Sequence, residues 1–323
     1  MKLESALATL IAALGALALA PALALAQSFP EHAVRMVVPF PPGGGADGPA
    51  RAIAEKMTAI LGQPVIVENK PGASANIGAE FVARAPADGY TILFSNEVLS
   101  SNQSMFSKLR YDSVKDFTPV AKVGNAAVAI AVHPGVEAKN LAELVALSKT
   151  RMVNYGSPGV GTGPHLFGEL LAISTGARLN HIPYKGAAPA TTDAVGGQVD
   201  MIISALAPMA SHMSTGRLRG LAVTGSNRSA LMPNLPTVAE TGVSSFRYDL
   251  WYAIVAPAGV PPAALSTLRR AAALALKDGD VLQRLQTMGI EPDRSPASAL
   301  PDQIREGIAR WNRVIREANI PRE

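Results

Sequence analysis

The residues best suited to bind a ligand lie in two glycine-rich turns, each between an apolar strand-like run and a helix-like segment. The first turn is "PPGGG" at residues 41–45 and the second is "GVGTG" at residues 159–163. Glycine lets the backbone approach a ligand closely, and the free N–H groups at a helix N-terminus favour an anion. If the turns face each other across a cleft, they are predicted to bind the two ends of a small dicarboxylate.

Gly43, Gly45 and Gly48 of the first turn also fit the pattern G-x-G-x-x-G, and a carboxylate follows about twenty residues on, as in dinucleotide-binding turns. The prolines at residues 39–42 stiffen the stretch where such a turn must be tight. Asp47 would also place a negative charge beside the pyrophosphate. The sequence therefore favours a small anion over NAD, and an ordinary strand-to-helix turn remains the alternative for either turn taken alone.

Three further candidates follow strand-like runs. Asn96 ends "YTILFSN" and Ser204 ends "VDMIIS", and polar groups beyond the carboxyl ends of parallel strands lie where open α/β sheets bind ligands. Either side chain could instead cap the next helix. In "HIPYKG" at residues 181–186, Tyr184 offers a ring and a hydroxyl to a ligand. Lys185 either supplies positive charge to the cleft or is an exposed side chain at the end of a strand.

Catalytic and metal-binding signatures are absent from the sequence. There is no Gly-Lys pair for a phosphate-binding loop, and the G-x-S-x-G elbow fails at Ser157 because Tyr155 occupies the first glycine position. The five histidines show no H-x-x-x-H spacing. We therefore predict no catalytic residue, no metal and no cofactor. The alternative is a secreted hydrolase whose Ser/His site, with Ser157 or His165, is assembled in the cleft.

Alternating apolar runs and helix-like segments are typical of an α/β protein with largely parallel sheets, and helices are predicted over residues 49–61 and 164–175. Two segments resemble each other, "AVAIAVHPGV" at 127–136 and "WYAIVAPAGV" at 251–260. Each is a continuous apolar strand followed by a turn with Pro and Gly. Such strands suit a chain that crosses twice between two lobes. We predict a discontinuous first lobe, 27–128 plus 249–323, and a continuous second lobe, 129–248.

The N-terminus and the composition bear on location. Lys2, an apolar stretch at residues 7–19 and the small-residue sequence before Gln27 are typical of an export signal. We predict cleavage after Ala26 and a periplasmic protein, with an uncleaved membrane anchor as the alternative. The absence of cysteine excludes disulfides and thiol catalysis. A net charge of +4 is too small to indicate nucleic acid, and 48% hydrophobic residues indicate a folded globular chain.

Several segments, taken in order, resemble the Bug family, the extracytoplasmic solute receptors of tripartite tricarboxylate transporters. They include "VRMVVPFPPGGGADGPAR", "GQPVIVENKPGASANIGAEFVARAPADGYTILF", "NYGSPGVGTGPHLFGELL", "HIPYKGAAPATTDAVGGQVDM" and "WYAIVAPAGVPPAAL". The resemblance implies a type II periplasmic binding protein: two α/β lobes, two crossing strands and a ligand cleft between them.

The resemblance also implies ligand-binding residues at matching positions: Phe40, Pro41, Gly43 and Gly44 in the first turn, Ser157, Gly161, Thr162 and His165 around the second, and Tyr184 with Gly186. In two places the sequence departs from the family pattern. Ser74 and Ala75 stand where a glycine pair is usual, and "SNEVLSSNQSMF" at residues 95–106 lacks the expected His-Ala-Ile-Asn pattern.

The sequence thus predicts a monomeric periplasmic receptor that captures a small organic acid and closes around it by hinge motion. An aromatic acid, an amide or a linear dicarboxylate would fit. The closed receptor is expected to present its ligand to the membrane permease of a tripartite tricarboxylate transporter. A ligand sensor without a transport role is the other alternative.

Overall fold

A computed structural model describes residues 29–244 and 246–323. The predicted export signal, residues 1–26, lies outside the described residues. The strands of the described chain are, in order, β1 Val34–Val38, β2 Val65–Asn69, β3 Thr91–Asn96, β4 Phe117–Ala126, β5 Val128–Val132, β6 Val153–Ser157, β7 Leu179–Pro183, β8 Met201–Ala205, β9 Arg219–Val223, β10 Leu250–Pro257 and β11 Ile290–Pro292.

The helices are α1 Asp47–Leu61, α2 Asn76–Ala83, α3 Val98–Met105, α4 Leu141–Thr150, α5 Gly163–Thr175, α6 Ala187–Val195, α7 Leu206–Ser214, α8 Pro262–Ala275, α9 Gly279–Thr287 and α10 Leu300–Glu317. Two short 3₁₀ turns, Ala73–Ala75 and Ala297–Ala299, precede α2 and α10. Over the described part of the chain, none of these helices is both long and apolar enough to cross a membrane.

The strands form two separate sheets. Sheet 1 has the order β11-β4-β10-β3-β1-β2, and sheet 2 has the order β7-β6-β8-β5-β9. Pairing is parallel between β1 and its neighbours and between β6 and its neighbours. It is antiparallel wherever β10 or β5 takes part. The predicted α/β class is confirmed, but the prediction of largely parallel sheets is wrong because the strands at each crossing run against their neighbours.

The chain passes between the sheets twice. β4 ends in sheet 1 at Ala126, and β5 begins in sheet 2 at Val128. After β9 ends at Val223, the chain returns to sheet 1 as β10 from Leu250. Every residue of β5 and of β10 is buried, which explains why both read as continuous apolar runs rather than alternating ones. We propose that each sheet is the core of one lobe, with boundaries at 128/129 and 248/249.

Both glycine-rich turns lead into helices that cover a sheet. α1 buries Ala50, Ile53, Ala54 and Met57, the helical spacing of one apolar face, and ends at Gly62 with φ 70°. The helix that follows the second turn, α5, likewise ends at a left-handed glycine, Gly176. These residues fix the axes of the two helices and therefore fix where their N-termini point.

The C-terminal helix α10 packs against α3 on the sheet 1 side and α5 on the sheet 2 side. Its Trp311 is 2% exposed. The indole meets the ring of Tyr248, on the segment returning to sheet 1, edge-on at 5.6 Å. α10 therefore stabilises the junction between the sheets.

We expect Trp311→Ala to lower the free energy of unfolding by about 3–5 kcal/mol, because it leaves a large cavity at this junction. Urea unfolding followed by circular dichroism measures the change. Arg313→Ala on the exposed face of α10 is the control, with an expected cost below about 0.5 kcal/mol. Equal costs for the two variants would contradict the packing role of Trp311.

Candidate ligand-binding site between the two sheets

Asp47 organises the first glycine-rich turn, which joins β1 to α1. Its Oδ2 accepts hydrogen bonds from the Gly43 N–H and the Arg51 Nε, both at 3.0 Å, and its Oδ1 accepts one from Asn69 Nδ2 at 2.9 Å. Burial tends to raise the pKa of Asp47, but these bonds with Arg51, Gly43 and Asn69 hold that pKa below its usual value. The Gly43 N–H is therefore already paired with a carboxylate of the protein and is not free to donate to a ligand.

Two other amides of this turn are open. The Gly44 N–H donates to the Pro41 carbonyl at 3.2 Å, whereas the N–H groups of Gly45 and Ala46 have no partner among the described residues. A Cβ on Gly45 would stand 3.5 Å from the Tyr252 hydroxyl. An anion at the N-terminus of α1 would therefore meet Gly45, Ala46 and Tyr252.

In the second turn, between β6 and α5, most amides have protein partners, but those of Val160 and His165 have none among the described residues. The Gly161 N–H donates to His165 Nδ1 at 3.1 Å. The Thr162 N–H donates to the Gly159 carbonyl at 3.3 Å, and the Thr162 hydroxyl donates to the same oxygen at 2.7 Å. The Gly163 N–H, the first amide of α5, donates to Glu97 Oε1 at 3.0 Å. The helix tip predicted to bind a ligand carboxylate thus holds a protein carboxylate.

Glu97 lies between β3 and α3, so its contact with Gly163 joins the sheet 1 side to the sheet 2 side. The residue is 3% exposed. Burial raises the pKa of Glu97 to about 7, although the Tyr248 hydroxyl, the Gly163 amide, Ser101 and Arg310 act in the opposite direction. The Tyr248 hydroxyl lies beside the carboxyl, but neither it nor Glu97 Oε2 has a partner of acceptable hydrogen-bond geometry in the described chain.

Other contacts across the same junction surround the second turn. Ser74 Oγ donates to the Val160 carbonyl at 3.1 Å. A Cβ on Gly161 would stand only 3.0 Å from Met105 Cγ, so only glycine allows α3 to approach this closely. The two sides of the molecule therefore touch at the turn.

Buried Ser157 and His165 and half-buried His181 form a group below the second turn. Ser157 Oγ lies 2.6 Å from His181 Nε2, and the His181 ring stacks on the His165 ring at 3.9 Å. Burial lowers the pKa of His165 to about 4. Burial, and to a lesser extent His165, lowers the pKa of His181 to about 3. Both rings are therefore neutral at ordinary pH and act as uncharged hydrogen-bonding groups.

Of the remaining candidates, two lie beside the second turn and one makes its side-chain hydrogen bond to a residue close by in the sequence. The Tyr184 hydroxyl donates to Asp193 Oδ2 at 2.8 Å, and the Gly186 N–H donates to the Pro158 carbonyl at 3.0 Å, which ties this loop to the second turn. Asn96 Oδ1 accepts from the Val98 N–H at 3.1 Å, the capping alternative. The Ser204 hydroxyl is buried and has no partner in the part of the chain that the structure describes.

Phe40 and Pro41 border the first turn, where the Phe40 carbonyl accepts a hydrogen bond from Asn69 Nδ2 at 3.0 Å. The structure thus places most candidates at one of the two turns and leaves Asn96 and Ser204 in their own strands. The role of all of them as ligand contacts stays a prediction. Within the described ranges, no cluster of three or more His, Asp or Glu residues is arranged to hold a metal ion.

Sequence reasoning missed Glu97, Tyr248 and Tyr252. Glu97 directly follows Asn96 at the carboxyl end of β3, so the rule that selected Asn96 also applied to it. Its partner on α5 is 66 residues away along the chain, and no local pattern indicates that contact.

Two sheets joined by two crossings, with helix N-termini at the junction, are the architecture of periplasmic binding proteins. A family model described as "Tripartite tricarboxylate transporter family receptor" matches residues 49–320. BugT of Bordetella pertussis is 37% identical over 300 residues, covering 90% of this chain and 91% of BugT.

Two solved structures extend the comparison. "R. palustris Rpa4515 with adipate" is 32% identical with a TM-score of 0.84, covering 91% of this chain and 99% of that one. MatC from Rhodopseudomonas palustris with bound malate is 30% identical with a TM-score of 0.82, covering 89% and 100%. The chain belongs to the tripartite tricarboxylate transporter receptor family, whose members are periplasmic solute-binding proteins and not enzymes. The resemblance to the Bug family is confirmed.

His165 and His181 should each lower stability as the pH falls from 7 to 5, because the unfolded chain then binds a proton at each of them and the folded protein does not. Glu97, whose pKa is raised to about 7, acts in the opposite direction. For His165, with a folded pKa of about 4 against 6.5, the loss is about 2 kcal/mol. Urea unfolding at both pH values should show that His165→Gln removes this part of the loss. The exposed His32→Gln is the control and should behave as the wild type does. A His165→Gln profile parallel to the wild type would refute the assignment.

Proposed function

We propose that this protein is a periplasmic receptor that binds a small organic acid between its two lobes and delivers it to the membrane permease of a tripartite tricarboxylate transporter. Family membership supports the receptor role. The observation that carries the location of the ligand is the pair of open amides, Gly45 and Ala46, at the N-terminus of α1. A helix N-terminus with unpaired N–H groups attracts a carboxylate.

The proposed ligand carboxylate lies on the sheet 1 side of the junction. From there the ligand extends past the Tyr252 hydroxyl toward the second turn, where Ser157, Thr162, Tyr184 and Gly186 are proposed to complete the pocket. A ligand that touches both sides binds the closed form better than the open form. It therefore shifts the hinge equilibrium toward closure.

The proposal includes export, with signal cleavage after Ala26, and function as a monomer without cofactor or covalent chemistry. The short Ser157–His181 contact does not favour the hydrolase alternative. A general base of this kind needs an orienting group on its second nitrogen, and His181 Nδ1 has no hydrogen bond to a carboxylate in the described chain.

The test is a thermal-shift and calorimetric screen of the mature chain against small mono- and dicarboxylic acids, with NAD included. Free ligand at about 100 times its dissociation constant should add about 2.7 kcal/mol and raise the melting temperature by several degrees. If no organic acid stabilises the protein, the proposed ligand class is wrong.

A separate experiment tests delivery to the permease. Cells that contain the permease should take up the ligand, and deletion of the receptor should abolish that uptake.

Gly45→Val tests the proposed location of the carboxylate. A side chain here fills the space between the open amides and Tyr252, so we expect calorimetry to show a dissociation constant raised by about tenfold or more. Gly279→Val is the matched control, because Gly279 is exposed and a Cβ there meets nothing within 4 Å. Unchanged affinity in a folded Gly45→Val variant would place the ligand elsewhere.

A further inference from the structure

We infer that Ser74 stabilises the closed form of this receptor. Its hydroxyl, held by a strained turn of the first lobe, donates a hydrogen bond to the second glycine-rich turn on the other lobe. This inference rests on the proposed receptor function. It names a residue that sets the hinge equilibrium of the same site without touching the ligand.

The first observation is backbone strain in the segment between β2 and α2. Ala73, Ser74 and Ala75 have φ values of 45°, 52° and 76°, in the left-handed region where a side chain costs free energy at each residue. Among the described residues, the only other non-glycine residue with a positive φ is Asn319. Three such residues in succession persist only where the surrounding structure holds them, and strain of this kind is concentrated at functional positions.

Buried side chains from the sheet 1 side hold the strained turn in place. Asn102 Nδ2, on α3, donates to the Ser74 carbonyl at 2.7 Å and to Asn76 Oδ1 at 2.8 Å. The Tyr111 hydroxyl donates to the same Asn76 oxygen at 2.7 Å. Because none of these partners comes from the sheet 2 side, the turn keeps its shape when the lobes separate. The Ser74 hydroxyl is therefore preorganised for its contact with the other lobe.

The hydroxyl of the strained turn reaches across the junction. Ser74 Oγ donates to the Val160 carbonyl at 3.1 Å. The N–H of the same peptide group, that of Gly161, donates to His165 Nδ1 at 3.1 Å, so this peptide is held from both sides. Ser74 follows β2, the edge strand of sheet 1, and does not lie on a crossing segment. Hinge opening about the crossings would therefore separate Ser74 from Val160.

A hydrogen bond made only in the closed form shifts the hinge equilibrium toward closure before any ligand binds. The net gain from one such bond corresponds to a factor of about two to ten in that equilibrium. Where the closed form is the minor one, a larger closed fraction raises the apparent affinity for the ligand by the same factor.

Distances between spin labels in the ligand-free receptor test the inference. The chain has no cysteine, so Lys149→Cys and Arg270→Cys, at exposed positions of the two proposed lobes, provide unique labelling sites. Pulsed electron–electron double resonance then measures the ratio of open to closed receptor. Ser74→Ala removes the hydroxyl but keeps the strained backbone, and we expect it to raise that ratio about two- to tenfold.

Ala73→Gly is the matched control. Ala73 is exposed and has a left-handed backbone, so glycine relieves strain there without loss of buried contacts. We expect a higher urea midpoint for this variant and the wild-type ratio of open to closed receptor. A ratio that Ser74→Ala leaves unchanged, or that Ala73→Gly shifts equally, overturns the inference and leaves the receptor function intact.

Adipate and malate, and then the other acids of the screen, are added to the labelled wild type to test the function on which the inference rests. We expect at least one acid to raise the closed fraction. If no acid does so and none stabilises the chain, the proposed function fails, whatever Ser74→Ala does to the ligand-free ratio. The two failures are therefore distinguishable.

Discussion

A single buried carboxylate, that of Glu97, joins the two sides of the molecule by accepting a hydrogen bond from the first amide of α5. An anion gains from a helix N-terminus, but a carboxylate 3% exposed loses much of its hydration. The helix compensates part of that loss, and the pKa near 7 reflects the remainder. The contact therefore holds a buried carboxyl group at the point where the two sheets approach each other.

The two glycine-rich turns share a design in sequence but differ in what occupies them. In the first turn, Asp47 accepts a hydrogen bond from the Gly43 N–H, and the N–H groups of Gly45 and Ala46 have no partner among the described residues. Glu97 takes the Gly163 amide from across the junction. The two helix N-termini therefore have different protein partners before any ligand binds.

Local rules predicted the parts of the fold that depend on neighbours in sequence. Glycine and proline placed the starts of α1 and α5 within two residues of 47 and 163, and continuous apolar runs marked β5 and β10 because both faces of each strand are covered. The partners of the site residues depend on tertiary contacts. Ser157 meets His181 rather than His165 because β6 and β7 pair in a particular register, and sequence patterns do not encode that register.

The most direct test of the central claim is a crystal structure of the mature protein with a bound organic acid. The account predicts the ligand carboxylate on the Gly45 and Ala46 amides and the Glu97 Oε1 to Gly163 N–H bond preserved. A ligand carboxylate seated on the Gly163 amide, with Glu97 displaced, would contradict it.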